Sequence, residues 1–295
     1  MINLPPGSLA EATLLRFQKD EITEHFIYRR IAAATPDPHN REVLNNIAQQ
    51  EYEHYLVWKK YTGREVSPDT VRIWYYYLLA RIFGITFAMK LMEGIEKRAQ
   101  GAYRELMSTV PEAGDIIARE ESHEKELIGL LDEERLRYTG SVVLGLNDAL
   151  VEFTGSLAGF TFALQDTRII AMAGLIMGIA ASLSMAASEY LSQRSDGGGG
   201  STDPKKASVY TGAAYVITVI LLVLPYLLLS NPYAALALTL TMAVLVIFFF
   251  TFYISVAKDL PFRQRFMEMA AISLGIAAIS FVIGILIRAG LGVQV

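Results

Sequence analysis

Hydrophobic and polar positions follow two different patterns along the chain, and the change falls near residue 138. Before that point, apolar residues recur every three or four positions among charged ones, which predicts amphipathic helices. Turn signals separate these helices: TPDP at 35–38, Gly63, and SPDT at 67–70. No strand-like alternation is present. The pattern predicts a four-helix bundle with helices at about 8–34, 40–61, 70–107 and 111–138.

After residue 138 the apolar positions run together. A helix rises about 1.5 Å per residue, so about 20 apolar residues cross the hydrocarbon layer of a membrane. Five runs have that length, at about 142–164, 169–191, 209–229, 233–256 and 267–288, and a glycine-rich loop lies at 193–206. The predicted fold class is therefore all-α. Residues 1–138 form a cytosolic bundle, and residues 139–295 form a five-span membrane domain.

Each predicted bundle helix places an acidic residue on its apolar face. Carboxylates in a protein core are costly unless they pair with cations or bind metal. A Glu and a His three residues apart project into the same space and supply one oxygen and one nitrogen ligand. The alternative is that these acids lie on solvated faces. We predict a di-metal centre formed by Glu21, Glu51, His54, Glu93, Glu96, Glu120 and His123.

Composition narrows the metal chemistry and the partners. The chain has no cysteine, which excludes thiolate zinc sites, iron–sulfur clusters and a rubredoxin-type iron site. His25 and His39 have no Glu-x-x-His partner, so we interpret them as surface or local structural residues. The formal net charge of −4 gives no basic excess, and we expect no nucleic-acid partner. No basic segment followed by a short apolar core opens the chain, so no cleaved signal peptide is expected.

Residues 8–137 resemble a ferritin-like domain of the rubrerythrin type. That family has one Glu, a Glu-x-x-His, a Glu-x-x-Glu and a second Glu-x-x-His on successive helices, and the seven residues named above match this pattern. The resemblance implies two iron ions per domain and oxidation of ferrous iron by oxygen or peroxide. It therefore raises the possibility of ferroxidase or peroxidase activity, although the missing rubredoxin module argues against sustained peroxide reduction.

One segment of the third bundle helix, residues 73–89, is apolar and aromatic nearly all round except for Arg81. Helices of that kind are buried in a core, in a subunit interface or in lipid. At this length, with a central arginine, the segment is short for a membrane span. We expect a dimer interface or a contact between this domain and the membrane.

Three acids lie within the predicted spans. Asp148 and Glu152 are four residues apart and share a helix face in the first span, and Glu189 lies in the second. A carboxylate in lipid costs at least about 2.5 kcal/mol, so such residues usually face water, a cation or a proton-exchange step. The alternative is an acid held by a neighbouring helix. Met185 lies one turn before Glu189 and is either packing or a soft ligand for ferrous iron.

Basic residues near the ends of the spans predict the orientation of the domain. Only Arg168 and Arg288 fall on one side. The other side, predicted to be cytoplasmic with the bundle, has Arg135, Arg137, Arg194, Lys205, Lys206, Lys258, Arg263 and Arg265. The C-terminus is then outside. Small residues repeat every four positions at Gly155 and Gly159 and at Gly174, Gly178 and Ser182, which predicts close helix packing. We expect Pro225 to kink the third span and Glu268 to face the cytoplasmic entrance.

The segments NDALVEFTGSLAG and SLSMAASEYLS resemble the first two spans of the vacuolar iron transporter family. The resemblance implies five spans, a homodimer and exchange of Fe²⁺ for protons. Asp148 matches the acid of the first span, and Met185 and Glu189 match the Ser-Met-x-x-x-Glu-Tyr signature. An acid that the family often has before that methionine is replaced by Met177, and Glu152 is a candidate for its role. The metal-binding segment after the second span is reduced to the short glycine-rich loop.

Together these features predict an integral protein of a prokaryotic cell membrane that exports cytosolic Fe²⁺ in exchange for protons. The bundle would capture iron and pass it to Asp148, Glu152, Met185 and Glu189. The main alternative is a ferroxidase or peroxide-reducing enzyme for which the spans are only an anchor. A third possibility is Mn²⁺ in both parts, because oxygen and nitrogen ligands do not separate the two ions.

Overall fold

The computed structural model describes residues 9–99, 134–195 and 202–291, and within these ranges the secondary structure is helical, with no strand. The chain divides into two compact units, Met1–Glu133 and Glu134–Val295, which are described here as the first and the second unit.

The first unit begins with two long antiparallel helices, α1 (Leu9–Ala34) and α2 (Pro38–Thr62). The start of α2 is capped by Asp37, whose carboxylate accepts from the backbone N–H of Asn40 at 2.8 Å, and Pro38 occupies the first turn. Gly63 ends α2 in the left-handed region at φ 63° and donates its N–H to the carbonyl of Lys59. The turn signals in the sequence therefore predict both ends of this hairpin.

Two shorter helices, α3 (Thr70–Phe83) and α4 (Ile85–Ala99), follow and pack with the hairpin. Asp69 caps α3 by accepting from the N–H groups of Val71 and Arg72. The fully buried core includes Ile27, Tyr28, Leu44, Ile47, Met89 and Met92. These residues lie on α1, α2 and α4, and Ile73, Tyr76 and Ala80 of α3 belong to the same core, so four helices pack on one apolar core.

The prediction of one continuous third helix at about 70–107 is wrong. Gly84 has φ 105° and ψ 157°, a backbone conformation that only glycine adopts readily, and it separates α3 from α4. Most of the predicted fourth helix, at about 111–138, lies outside the described residues. The fourth member of the predicted bundle therefore stays a prediction.

In the second unit, a short helix α5 (Glu134–Arg137) is followed by α6 (Thr139–Asp148), a π-helical segment (Ala149–Phe153) and α7 (Thr154–Leu164). Four long helices complete it: α8 (Thr167–Ser195), α9 (Pro204–Leu228), α10 (Pro232–Ala257) and α11 (Phe262–Leu291). The four long helices are apolar and long enough to cross a membrane. The chain is therefore an integral membrane protein.

The predicted first span, residues 142–164, is not one uninterrupted α-helix. The backbone is helical from 139 to 164, but the π-helical segment divides it. Inside this segment the hydroxyl of Ser273, from α11, donates to the carbonyl of Leu150. A π-helical turn interrupts the regular α-helical hydrogen bonds of the backbone carbonyls, and the hydroxyl of Ser273 donates to one of these carbonyls.

Glycines bring the membrane helices into close contact, as their spacing predicts. A Cβ at Gly159 would lie 3.1 Å from the carbonyl oxygen of Ser280 on α11, and a Cβ at Gly178 would lie 2.5 Å from a methyl of Val219 on α9. The closest approach is at Gly145, where an added Cβ would lie 2.2 Å from the carbonyl oxygen of Thr211. The backbones of α6 and α9 therefore touch directly.

Pro225 lies inside α9, as predicted for the third span. A proline removes one helix hydrogen bond and disturbs the carbonyls of the preceding turn. The hydroxyl of Thr239, on α10, donates to the carbonyl of Leu222 at 3.0 Å, three residues before the proline. A neighbouring helix therefore donates to a carbonyl in the turn before the proline, next to the Leu221 carbonyl whose helix donor the proline removes.

Candidate metal sites

The first unit brings three potential metal ligands together between α1 and α2. The ligand atoms of Glu21, Glu51 and His54 all lie within 4.8 Å of one another. The Nδ1 of His54 is 3.6 Å from Glu21 Oε2 and 3.5 Å from Glu51 Oε2. Both carboxylates are buried, and the imidazole is partly exposed. Two oxygens and one nitrogen therefore converge on one point, as the sequence predicts for these three residues.

Local structure explains this convergence. Glu51 and His54 are one helical turn apart on the buried face of α2, between Leu44 and Tyr55. Glu21 lies on α1, four residues after the buried Phe17. Because α1 and α2 pack side by side, Glu21 on the buried face of α1 meets Glu51 and His54 on the buried face of α2. Hydrophobic packing on both sides fixes the distance between them.

An indole group holds one oxygen of Glu21. The Nε1–H of Trp58, on α2, donates to Glu21 Oε1 at 2.9 Å, and Trp58 is 1% exposed. The other oxygen, Oε2, is buried and has no hydrogen-bond partner among the described residues. The sequence places Trp58 on the same face of α2 as Glu51 and His54 but gives no sign of the bond to Glu21.

A second charged cluster lies beside this site. The guanidinium of Arg72 forms an ion pair with Asp20, and its Nη2 is 3.7 Å from Glu24 Oε1. Burial raises the pKa of the Asp20 carboxyl, although Arg72 opposes that shift. Arg72 is not predicted from the sequence, because nothing in a single helix pattern shows which acids an arginine in the first turn of α3 will reach.

The other predicted ligands do not complete the centre in the described part of the chain. Glu93 is buried on α4, but it is not one of the group whose ligand atoms lie within 4.8 Å. Glu120, His123 and the side chain of Glu96 lie outside the described residues. The second metal position therefore remains a prediction.

The two remaining histidines differ. His25 is buried, and its Nδ1 must donate to the carbonyl of Ala48, at 2.7 Å, because a carbonyl can only accept. The part of the prediction that allowed a surface position is wrong for His25, and the local structural role is correct. His39 is exposed, as expected.

The three converging residues of the first unit fit a divalent metal ion. A carboxylate oxygen buried without a hydrogen-bond partner, here Glu21 Oε2, is costly unless a cation binds it. Carboxylate and imidazole ligands suit iron, manganese and zinc. Two carboxylates also bring the negative charge that a divalent cation would balance.

In the second unit, three residues form a hydrogen-bonded group within the apolar helices. The side chain of Asp148, at the end of α6, is hydrogen-bonded to Glu152 and to the hydroxyl of Tyr215. Glu152 lies in the π-helical segment and is exposed, whereas Tyr215, on α9, is 1% exposed. A hydrogen bond between two carboxyls requires a proton on one of them. The sequence pairs Asp148 with Glu152, but it does not reveal Tyr215.

Glu189 has different partners. It is buried on α8, and its Oε1 accepts from the hydroxyl of Ser141 at 2.7 Å and from the amide of Gln193 at 3.1 Å. The hydroxyl of Thr211 in turn donates to the carbonyl of Ser141 at 2.9 Å. This carboxylate is therefore held by a side chain of α6 and by one of its own helix, α8. It does not join Asp148 in the described hydrogen bonds.

The remaining candidates of this unit take ordinary positions. Met185 and Met177 are partly buried and pack against the core of the unit. Glu268 is exposed and accepts from the amide of Gln264 and from Arg265, whose Nη1 is 3.5 Å away. The packing interpretation of Met185 describes its contacts, and its role as a ligand stays a prediction.

These helices and polar groups define an all-helical integral membrane protein with buried acids in both units. Residues 139–198 match the family model described as the VIT family. The matched segment covers Asp148, Glu152, Met185 and Glu189, and it supports the resemblance of this part of the chain to the membrane domain of vacuolar iron transporters. No curated protein and no solved structure matches the chain.

Proposed function

We propose that the protein exports Fe²⁺ from the cytosol in exchange for protons, and that the first unit captures the ion. The observation that carries this proposal is the hydrogen-bonded pair of Asp148 and Glu152 inside the segment 139–198 that matches the VIT family, with Tyr215 of α9 bonded to Asp148. An anchor needs no acids in its spans. Two carboxyls that share a proton in an apolar surrounding are what a cation–proton exchanger requires.

The chemistry of exchange follows from competition for the same oxygens. A divalent ion at Asp148 needs a deprotonated carboxylate, so its binding displaces the proton shared with Glu152. Release of the ion on the other side allows the pair to take up a proton again. Tyr215 keeps one hydrogen bond to Asp148 while the proton is exchanged. Metal and proton are then bound alternately at one pair of acids.

Glu189 is the acid we assign to the cytoplasmic approach. Its Oε1 is oriented by Ser141 on α6 and by Gln193 on α8. Met185, one turn before it on the same helix, adds a soft sulfur ligand suited to ferrous iron. The excess of basic residues on one side predicts that this side is cytoplasmic, and an inward proton gradient would then drive the ion out of the cell.

In the first unit, Glu21, Glu51 and His54 would hold one iron ion, with Glu93, Glu96, Glu120 and His123 completing a di-iron centre. Iron held at this centre would provide the redox chemistry by which oxygen or peroxide oxidises ferrous iron. The residues themselves bind and orient: the carboxylates balance the charge of the ion, and His54 presents a nitrogen from the partly exposed side. Because of the resemblance to vacuolar iron transporters, we also propose that the protein is a homodimer.

Transport can be tested with purified protein in liposomes that contain an iron-sensitive dye. We expect Fe²⁺ flux that depends on a proton gradient and that Asp148→Asn abolishes. Asp166→Asn is the matched control, because Asp166 is an exposed cap that accepts from the N–H groups of Arg168 and Ile169, and asparagine caps equally well. Undiminished flux in Asp148→Asn would refute the assignment of the path. Parallel measurement of Mn²⁺ flux tests the manganese alternative.

A second candidate function is a membrane-anchored di-iron enzyme. The buried cluster of Glu21, Glu51 and His54 favours it, because these ligands suit iron without any transport. It predicts oxidation of Fe²⁺ by oxygen or peroxide in the liposome-reconstituted protein, with Glu51→Gln inactive and with no ion flux. Measuring both activities on the same preparation separates the two functions.

A further inference from the structure

We infer that Trp58 is a positioning residue for the metal ligand Glu21, and that its indole N–H sets which carboxylate oxygen is offered to the ion. This inference rests on the proposed metal binding by Glu21, Glu51 and His54. It concerns a residue outside the ligand set, whose contact with Glu21 the sequence does not show.

The geometry gives each oxygen of Glu21 a different role. Oε1 accepts the indole N–H of Trp58 at 2.9 Å, and Oε2 lies 3.6 Å from His54 Nδ1, within the group of converging ligand atoms. The hydrogen bond from Trp58 holds Oε1 on the side of the indole and leaves Oε2 as the oxygen that faces His54. Glu21 therefore approaches the site as a ligand with a single oxygen.

The indole is itself fixed. Trp58 is 1% exposed and lies 5.7 Å from the ring of Phe17, so the indole ring is held by packing. It also lies four residues after His54 on α2, so one rigid helix presents both the imidazole and the indole to the same side chain of α1. α2 thus places two of the potential ligands and orients the third.

The consequence is a measurable difference in affinity. Without the N–H, Glu21 Oε1 loses its hydrogen bond and the carboxylate is free to rotate about its side-chain bonds. Loss of a hydrogen bond to a metal ligand typically lowers metal affinity by about 10–100-fold. A role in packing alone would require only the aromatic ring, which phenylalanine retains in part.

The test is a titration of the full chain in detergent with Mn²⁺, with free Mn²⁺ followed by electron paramagnetic resonance. The variants are Trp58→Phe, which keeps a ring but has no donor, and Glu21→Gln, which defines the binding that belongs to this site. Trp74→Phe is the matched control, because Trp74 is an exposed tryptophan on α3. We expect Trp58→Phe to weaken the Glu21-dependent binding by about 10–100-fold and Trp74→Phe to leave it unchanged.

A second measurement does not depend on how well Trp58→Phe folds. In the Trp74→Phe protein, Trp58 is the remaining tryptophan, since the chain has two. Its emission should change during the Mn²⁺ titration with the midpoint seen by resonance, because the oxygen that it contacts belongs to the ligand. Unchanged emission during Glu21-dependent binding would overturn the inference, as would wild-type affinity in Trp58→Phe. If no binding depends on Glu21, the proposed capture site fails first, and the inference with it.

Discussion

Replacement of Gly145 by alanine tests whether the backbone contact between α6 and α9 positions the acids of the membrane unit. A Cβ at this position would lie 2.2 Å from the carbonyl oxygen of Thr211 and 3.2 Å from its Cα. Ordinary contacts begin near 3.4 Å, so the two helices must separate by roughly 1.2 Å. Asp148 lies less than one turn further along α6, and Tyr215 about one turn beyond Thr211 on α9.

The energy can be estimated from two opposing effects. Alanine favours a helix over glycine by about 0.5–1 kcal/mol, whereas an added methyl group in a close-packed interior costs about 1–3 kcal/mol. The clash at Gly145 is with backbone, which cannot rotate away, so the cost falls at the upper end. We expect a net loss of about 2 kcal/mol. A separation of this size also stretches the hydrogen bond between Asp148 and Tyr215 beyond its working range.

Gly140 provides the matched control on the same helix, because a Cβ there would meet no atom within 4 Å. Both alanine variants are unfolded in mixed micelles of increasing SDS fraction and followed by circular dichroism, and Fe²⁺ flux is measured in liposomes. Gly145→Ala should unfold earlier and transport poorly, whereas Gly140→Ala should match or slightly exceed the wild type. Equal stability and flux of the two variants would refute the argument that direct contact of α6 and α9 positions Asp148.

Three further predictions concern stability. Asp37→Ala should lower the unfolding free energy of the first unit by about 1 kcal/mol through loss of the helix cap, measured by tryptophan emission in urea. Hydrogen bonding to the Lys59 ammonium lowers the pKa of Glu65. The ionised Glu65 carboxylate therefore stabilises the folded state fully above the unfolded-state pKa of this group, and the stabilisation is lost as the pH falls through the lower folded-state pKa. The melting temperatures of the wild type and of Glu65→Gln should therefore converge in acid. Thr239→Val removes the donor to the Leu222 carbonyl and should cost about 0.6 kcal/mol in SDS unfolding.

The sequence predicts the elements that local chemistry determines. Asp37 and Pro38 begin α2 and Gly63 ends it, because each acts on its own backbone within a few residues. The four long spans follow from apolar runs, and close packing at Gly178 follows from the four-residue repeat of small residues. None of these features depends on which other helix lies opposite.

The sequence does not predict where a helix is interrupted. Gly84 lies in an apolar, aromatic run whose pattern continues on both sides, and an isolated glycine is tolerated in a helix. Its φ of 105° is a conformation that glycine allows, but the apolar pattern does not show whether the glycine adopts it. The π-helical segment at Ala149–Phe153 is similar, because one extra residue in a turn barely alters an apolar pattern.

The break in α3–α4 also changes the interpretation of the apolar segment at 73–89. Ile73, Tyr76 and Ala80 are buried in the core of the first unit, whereas Trp74 and Leu78 are exposed. Burial in the core of the first unit therefore explains the apolar residues on one face of α3. The exposed face agrees with the expectation of a contact with another surface, and that contact stays a prediction.

Contacts between helices account for the rest of what the sequence could not show. A helix pattern assigns Trp58 to a buried face and Tyr215 to an apolar span, and both assignments are right. Their chemistry comes from the helix opposite, where Glu21 and Asp148 supply the acceptors. In both units an aromatic side chain on one helix donates a hydrogen bond to an acid on another helix. The sequence pattern identifies each acid, whereas its donor is known only from the structure.

The partners of the membrane acids also bear on how transport would work. The sequence analysis grouped Asp148 and Glu152 with Glu189, but Asp148 is bonded to Glu152 and Tyr215, whereas Glu189 is bonded to Ser141 and Gln193. The hydroxyl of Ser141 and the amide of Gln193 orient Glu189 Oε1, so this acid is held in a fixed position on α8. The hydrogen bond between the carboxyls of Asp148 and Glu152 requires a proton on one of them. On the proposed function, an ion that passes Glu189 would displace a proton at the pair formed by Asp148 and Glu152, which places the coupling step at Asp148.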